Sequence, residues 1–213
     1  MAVSLYASTA TASASITLTT APTDAFLFIT ATLLTGQTAS TPQIDASSSG
    51  VTSITTVDDG VNMKVLAWYK KGLSGASHTV SVSTGGNLQY FSASSFADVD
   101  QSFDPSTHYA AGQAATETPT TPGAGDMIVA VASGINFKGS PNITYNGTRD
   151  HHLGATAPDV AVGHRAAGAS GSTFSGADSF CHIALTMVGT AASPDRPQVR
   201  ISIPVAIQRA SSF

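Results

Sequence analysis

Val61-Asn62-Met63-Lys64-Val65-Leu66-Ala67-Trp68-Tyr69-Lys70-Lys71 is the stretch on which the fold turns. In an extended chain Val61, Met63, Val65, Ala67 and Tyr69 share one face, and Asn62, Lys64, Leu66, Trp68 and Lys70 share the other. A period of two is a strand signal, because a helix brings together residues three and four apart instead. Each face ends in an aromatic ring, so one ring is expected in a core and one at a rim.

Outward from this strand the same pattern recurs. Residues 25–34 alternate Leu27, Ile29, Ala31 and Leu33 with Phe26, Phe28, Thr30 and Thr32, which reads as a central strand apolar on both sides at its start. In residues 78–84, Val80 and Val82 face one way and Thr79, Ser81 and Ser83 the other. Further strands are expected at 14–20, 51–57 and 88–97, then at 126–133, 142–145, 160–166, 180–188 and 199–208. Glu occurs once and Lys four times, which leaves little material for helices. Short strands at this spacing predict an all-β fold, a sandwich or a barrel, and one antiparallel two-sheet β-sandwich is favoured because neither half of the chain alone offers many large apolar residues.

Turn chemistry separates the runs. Asp58-Asp59-Gly60, Gly85-Gly86-Asn87 and Asn146-Gly147 carry hairpin signals, because Gly accepts positive φ at no steric cost. Residues 168–176 read as a flexible loop. Residues 116–125, Thr-Glu-Thr-Pro-Thr-Thr-Pro-Gly-Ala-Gly, form the best internal boundary. The expected organisation is an N-terminal segment with the first strand at 1–23, one sandwich at 24–193 with halves joined near 112–125, and a C-terminal strand or arm at 194–213.

That last segment has the strictest alternation: Val199, Ile201, Ile203, Val205 and Ile207 against Arg200, Ser202, Pro204, Ala206 and Gln208. Pro204 cannot donate to a ladder, which places the segment at an edge. It reads either as an ordinary last strand or as an arm whose five apolar residues bind a neighbouring subunit by strand addition.

Composition bounds the function. Ala, Ser and Thr make up 88 of 213 residues, and only 10% are charged. The apolar fraction of 42% suffices for a core, which argues against disorder. A lone Cys181 excludes a disulfide scaffold. The nine basic residues are scattered and the net charge is −4, so no nucleic-acid partner is expected. No apolar run approaches a membrane span, and the first residues lack the basic and apolar regions of a secretory signal. The expectation is a protein made in a cytoplasm, with no membrane partner.

Candidate chemistry is sparse. Asp98, Asp100 and Asp104 could offer oxygen ligands to calcium, but the loop lacks the Gly and Glu of an EF-hand and reads better as a turn. His151-His152, with Asp150, His164 and His182, contains metal-ligand types. Neighbours on a strand point to opposite faces, so the pair reads as exposed loop histidines rather than ligands. No nucleophile elbow precedes a helix, and one Glu among turn-placed Asp residues gives no glycosidase pair. Cys181 reads as a small buried hydrophobe. Trp68, Tyr69, Tyr90 and Phe91 would stack on a sugar if exposed together, although aromatic residues on strands are more often core. No catalytic residue, cofactor or metal is therefore assigned, and an enzyme is not expected.

A resemblance adds to this reading. Val65-Leu66-Ala67-Trp68-Tyr69-Lys70-Lys71 is followed by Ser77-His78-Thr79-Val80-Ser81-Val82-Ser83, then by Tyr90-Phe91-Ser92-Ala93-Ser94-Ser95-Phe96-Ala97-Asp98-Val99-Asp100-Gln101, and later by Gly125-Asp126-Met127-Ile128-Val129-Ala130-Val131-Ala132. From about residue 24 to 190 this order resembles jelly-roll-like β-sandwich domains of bacteriophage virion proteins and some bacterial surface proteins. Ala97 stands where that pattern commonly has Gly. The resemblance implies a virion structural protein, foremost a capsid decoration (cement) protein that stabilises a head by passive contacts. Its partners would be the major capsid protein and copies of itself, with a trimer suiting a shell. The alternatives are a tail- or fibre-associated protein, or a carbohydrate-binding, host-adhesion module that meets a surface glycan.

Overall fold

Residues 64–73 form a strand with both faces covered, and the reason is its position between two layers of side chains. The structure is a computed structural model that describes residues 1–135, 143–153, 159–166, 171–177 and 179–190. The proposed arm at 199–208 lies outside the described residues. In chain order the strands are β1 (Ser4–Thr11), β2 (Ser15–Thr19), β3 (Ala25–Leu33), β4 (Gln43–Ile44), β5 (Thr52–Asp58), β6 (Lys64–Leu73), β7 (Ser77–Ser81) and β8 (Leu88–Ala97). A short 3-10 turn, Pro105–Thr107, follows. Then come β9 (Tyr109–Gly112), β10 (Thr116–Glu117), β11 (Met127–Ile135), β12 (Thr144–Tyr145), β13 (Thr148–Leu153), β14 (Asp159–Ala166), β15 (Ser172–Ser175) and β16 (Ser179–Met187).

The fold is all-β, and every ladder is antiparallel. Its organisation is a doubling. The first eight strands make a large sheet in the order β1-β8-β3-β6-β5 and a small one, β2-β7-β4. The last eight make β9-β16-β11-β14-β13 and β10-β15-β12. Adding eight to each strand number converts the first pair of sheets into the second. A jelly roll pairs first with eighth, second with seventh, third with sixth and fourth with fifth strand. Here the first three pairings occur in the first unit, while β5 lies on β6 instead of β4.

Side chains stack the four sheets into layers. On β3, Phe26 and Phe28 point inward with Met63, Val65 and Ala67. They meet Val129, Val131, Val160, Val162, Ile183 and Leu185 of the second large sheet, so the two large sheets face each other across one core. Burying a Phe or Leu in such a layer is worth about 1.5–3 kcal/mol each. The opposite faces of the large sheets carry the small sheets. Leu27, Ile29, Trp68 and Phe91 pack on Ile16, Leu18 and Val80. In the second unit, Ile128, Ala130 and Ala184 pack on Phe174. Small polar residues also enter the core: Thr30 and Ser92, opposite each other on β3 and β8, are fully buried and share a hydroxyl–hydroxyl bond of 2.6 Å.

The two units are related by a pseudo-twofold arrangement. β5 lies against β9 as β1 lies against β13. The segments leaving the two eighth strands cross each other: Asp100 N donates to Val188 O at 2.8 Å and Thr190 N to Asp98 O at 2.9 Å, around the Val99–Gly189 bridge. The entries to the third strands match as well, with Asp24 at φ 45° before β3 and Gly125 at φ 91° before β11.

Several sequence expectations need correction. The chain crosses between units at residues 98–108, not within 112–125, and Thr116-Glu117 belong to β10. Of the flexible loop expected at 168–176, Ser172–Ser175 is strand β15, with Ser172 and Phe174 fully buried. Asn146-Gly147 and Gly85-Gly86-Asn87 are not hairpin turns, because each joins strands of different sheets and so turns a corner between layers. Asp58-Asp59-Gly60 is a true hairpin between β5 and β6. His151 and His152 lie on β13, half-buried, and are not loop residues.

Candidate functional site

Most of the polar side chains singled out by sequence are held in place by bonds within the chain, while Asp98 lines a surface hollow. In the acidic loop, Asp100 Oδ1 accepts from Ser102 N at 2.8 Å and from Ser102 Oγ at 2.7 Å. Asp104 Oδ1 accepts from Ser106 N at 2.9 Å and so caps the 3-10 turn. Those bonds hold both carboxyls below the usual range. Lys71 Nζ donates to Gln101 O at 3.0 Å and to Phe103 O, and stands 4.8 Å from the centre of the Phe103 ring. The loop is thereby a tied linker between the units. Gln101 completes it, accepting from Gly72 N at 3.0 Å and donating to Asp24 O at 2.8 Å.

Turn carboxylates behave alike. Asp59 Oδ1 accepts from Val61, Asn62 and Met63 N–H groups at 2.9, 2.7 and 2.9 Å. Partial burial opposes its charge, but these donors outweigh that and lower its pKa. Asp58 pairs with Lys64 at 3.1 Å across the hairpin.

The six histidines all have hydrogen-bond partners, and three of them are paired with aspartates. His78 Nδ1 meets Asp45 Oδ2 at 2.7 Å while its Nε2 faces Ser74 O at 3.1 Å. With acceptors on both ring nitrogens the imidazolium is favoured, so its pKa rises, chiefly through Asp45. His152 meets Asp159 at 2.9 Å, and His164 meets Asp150 at 2.8 Å. The neighbouring rings of β13 diverge as strand geometry requires. His151 turns to the other unit and meets Ser8 Oγ at 2.7 Å, which in turn meets Ser94 Oγ at 2.7 Å. This Ser94–Ser8–His151 chain is a polar seam joining the two units, and sequence reading missed it because its members lie far apart along the chain. Among the described residues, no three His, Cys, Asp or Glu side chains converge as a metal cage would require.

The most enclosed candidate pair is Ser172 and His182, at 3.0 Å. Both are fully buried. The His182 ring stands edge-on to Phe174 at 4.8 Å, and burial lowers its pKa to about 4. A nucleophile and base sealed in a core cannot meet a substrate, so this pair is structural. Cys181 is buried, donates to Met63 O at 3.5 Å, and its pKa is pushed up to about 12, mainly by burial.

The aromatic platform does not form. Trp68, Tyr90 and Phe91 are buried in two different layers, with Tyr90 between the units and the other two beneath the small sheet. Tyr69 is half-buried and stacked on Phe26 at 5.7 Å, with the ring planes 4° apart. Two shallow hollows sit at one end. One, of about 180 Å³, is lined by Met1, Asp24, Asp98, Gln101 and Thr190; the other, of about 240 Å³, lies between Pro22 and Gly72.

The chain matches no family model, no curated protein and no solved structure. What the arrangement brings together is a junction: a tied linker at residues 98–108, a polar seam at Ser8 and His151, and an apolar core between two large sheets. The five apolar residues proposed to bind a neighbour, Val199, Ile201, Ile203, Val205 and Ile207, lie outside the described residues.

Proposed function

We propose that the chain is a structural protein of a bacteriophage virion, foremost a decoration protein on the head, acting through passive contacts with the major capsid protein and with copies of itself. The observation that supports this reading best is the doubled sandwich. Two units of the same strand order are fused face to face, which makes a body in which Asp58, Asp150 and Asp159 are paired within the chain. Such a body works by shape rather than by turnover. Its many Ser, Thr and Ala side chains lose little rotamer entropy when a partner orders them. The apolar alternation from Val199 to Ile207 supplies a segment suited to strand addition on a neighbour. The virion is the expected location, and neither a cofactor nor catalysis enters the reading.

The sugar-binding alternative loses its motivating feature, because the rings of Trp68, Tyr90 and Phe91 offer no exposed stacking face. The decisive experiment is co-sedimentation of the purified chain with DNA-filled heads of the phage that encodes it, alongside mass spectrometry of its virions. Binding that disappears on deletion of residues 195–213 is expected. A chain found neither in virions nor on heads overturns the reading.

A further inference from the structure

The eight sheet edges of the two units differ in how well they are guarded. Edge strands β1, β5 and β13 each carry a register break, between Leu5 and Ala7, Ser53 and Thr55, and Arg149 and His151. Such breaks twist an edge and block further pairing. β9 has four residues, and β4, β10 and β12 have two each. β2 is the exception: a five-residue edge, Ser15-Ile16-Thr17-Leu18-Thr19, paired among the described residues only with β7 and in unbroken register.

Its backbone polarity is fixed by its flanks. Ala14 O accepts from Val82 N at 2.9 Å and Thr20 N donates to Ala76 O at 3.0 Å, so the even-numbered residues address β7. By alternation the N–H and C=O groups of Ser15, Thr17 and Thr19 point away from the sheet. The same three residues expose their side chains, while Ile16 and Leu18 are buried against the large sheet. Edge strands usually bear Lys, Pro or an inward charge as a guard. Here no charged side chain occurs from residue 1 to residue 23, and the first proline of the chain, Pro22, stands beyond the end of β2.

We infer that the β2 edge is a self-association surface whose occupant is β2 of a second copy, paired antiparallel about a twofold axis at Thr17. The sequence reads alike in both directions by type: hydroxyl, apolar, hydroxyl, apolar, hydroxyl. In that register Thr17 opposes Thr17, Ser15 opposes Thr19 and Ile16 opposes Leu18 of the second copy. Every outward N–H and C=O of the three odd residues then finds a partner, hydroxyl meets hydroxyl on the outer face, and apolar meets apolar beneath. A twofold contact sets like charges against each other, and a strand with none suits it; a charged partner would find nothing to pair with. The corresponding edge of the second unit, β10, has shrunk to Thr116-Glu117. With one such edge among the described strands, the contact closes as a dimer and does not propagate as a fibre. This supplies a self-contact for the particle reading but does not rest on it, since it is measured in free solution.

The test is sedimentation velocity of the full chain at tens of micromolar, with Thr17→Lys and Thr17→Pro. Proline at this position removes only an outward N–H, and lysine would face its own copy across the axis. The wild type is expected to be dimeric and both variants monomeric, with unchanged near-UV dichroism. Thr17→Cys should cross-link between copies through a short bis-maleimide, independently of the other variants. A monomeric wild type overturns the inference. So does an oligomer that persists in both variants, or one that disappears only when residues 195–213 are removed.

Discussion

Trp68 on β6 and Gly163 on β14 occupy the same place in the two units: Trp68 lies opposite Ile29 of the third strand, and Gly163 opposite Ala130 of its counterpart. In the first unit the large indole fills the space between the large and small sheets. In the second that space is filled from the other side. A Cβ on Gly163 would stand 2.5 Å from Tyr145 Cδ1, and Tyr145 is itself stacked on Phe174 at 4.6 Å. The two units thus solve one packing problem with side chains from opposite layers, which keeps the architecture while erasing the likeness in sequence.

Gly163→Ala should therefore destabilise the protein although alanine is small. The added methyl meets the Tyr145 ring and also Thr148 O at 2.6 Å, so strand or ring must shift. Overpacking of this kind costs about 1–3 kcal/mol. A denaturant midpoint equal to that of the wild type would refute the close fit.

Trp68 is the only tryptophan, and it is 4% exposed. Native emission should be blue-shifted and poorly quenched by iodide, then move to the red on unfolding. Trp68→Ala leaves a large void beneath the small sheet and should cost about 3–5 kcal/mol in denaturant titrations. Strong iodide quenching of the native protein would contradict the burial and revive the sugar platform.

His182 links stability to acid. Its folded pKa of about 4 lies below the ordinary value of 6.5, so the unfolded chain binds the proton first. Its burial is therefore free of penalty above pH 6.5, and stability is lost as pH falls from 6.5 toward 4. At about 1.4 kcal/mol per pH unit the loss reaches about 3 kcal/mol at the acid end. His182→Phe should flatten this part of the urea midpoint–pH curve. Parallel curves for the two proteins would exclude His182 as the source.

His78 has the opposite sign. Its pKa is raised by Asp45, so its contribution is complete below pH 6.5 and is lost as pH rises through the folded value. Asp45, lowered by the same bond, loses its share as pH falls below its ordinary 3.8. His78→Asn should cost most between about pH 4 and 6.5 and least at alkaline pH. A deficit that grows toward pH 9 would show that the pair is not ionic.

Lys71 ties the linker. Lys71→Met removes its donors to Gln101 O and Phe103 O, which should make residues 98–108 the first site of limited proteolysis. The nicked halves should still co-elute, because the core between the large sheets is untouched. Separation of the halves after a single cut would mean that the linker, not the core, joins the units.

The legible part of the molecule is its central strands. β3, β6, β8, β11 and β16 announce themselves because alternating or continuous runs of β-branched, aromatic and other apolar residues stand between turn residues, a signal carried by neighbours in the chain. β1, β9 and β13 do not, because Ser-, Ala- and His-containing edge strands are only half-buried and show no contrast between faces. The Asp98–Asp104 loop is legible as a turn, but its service as the bridge between units depends on Lys71, far off in sequence.

The residues alone established that this chain is made of strands, because alternation and turn chemistry are local properties. That it is one eight-strand plan laid down twice, with a polar seam from Ser94 through Ser8 to His151 and one unguarded edge at β2, was decided only by tertiary structure. Pairing partners are chosen by what each strand can bury against another. Since Trp68 in one unit and Tyr145 over Gly163 in the other fill the same place, packing preserves an architecture that letters do not repeat.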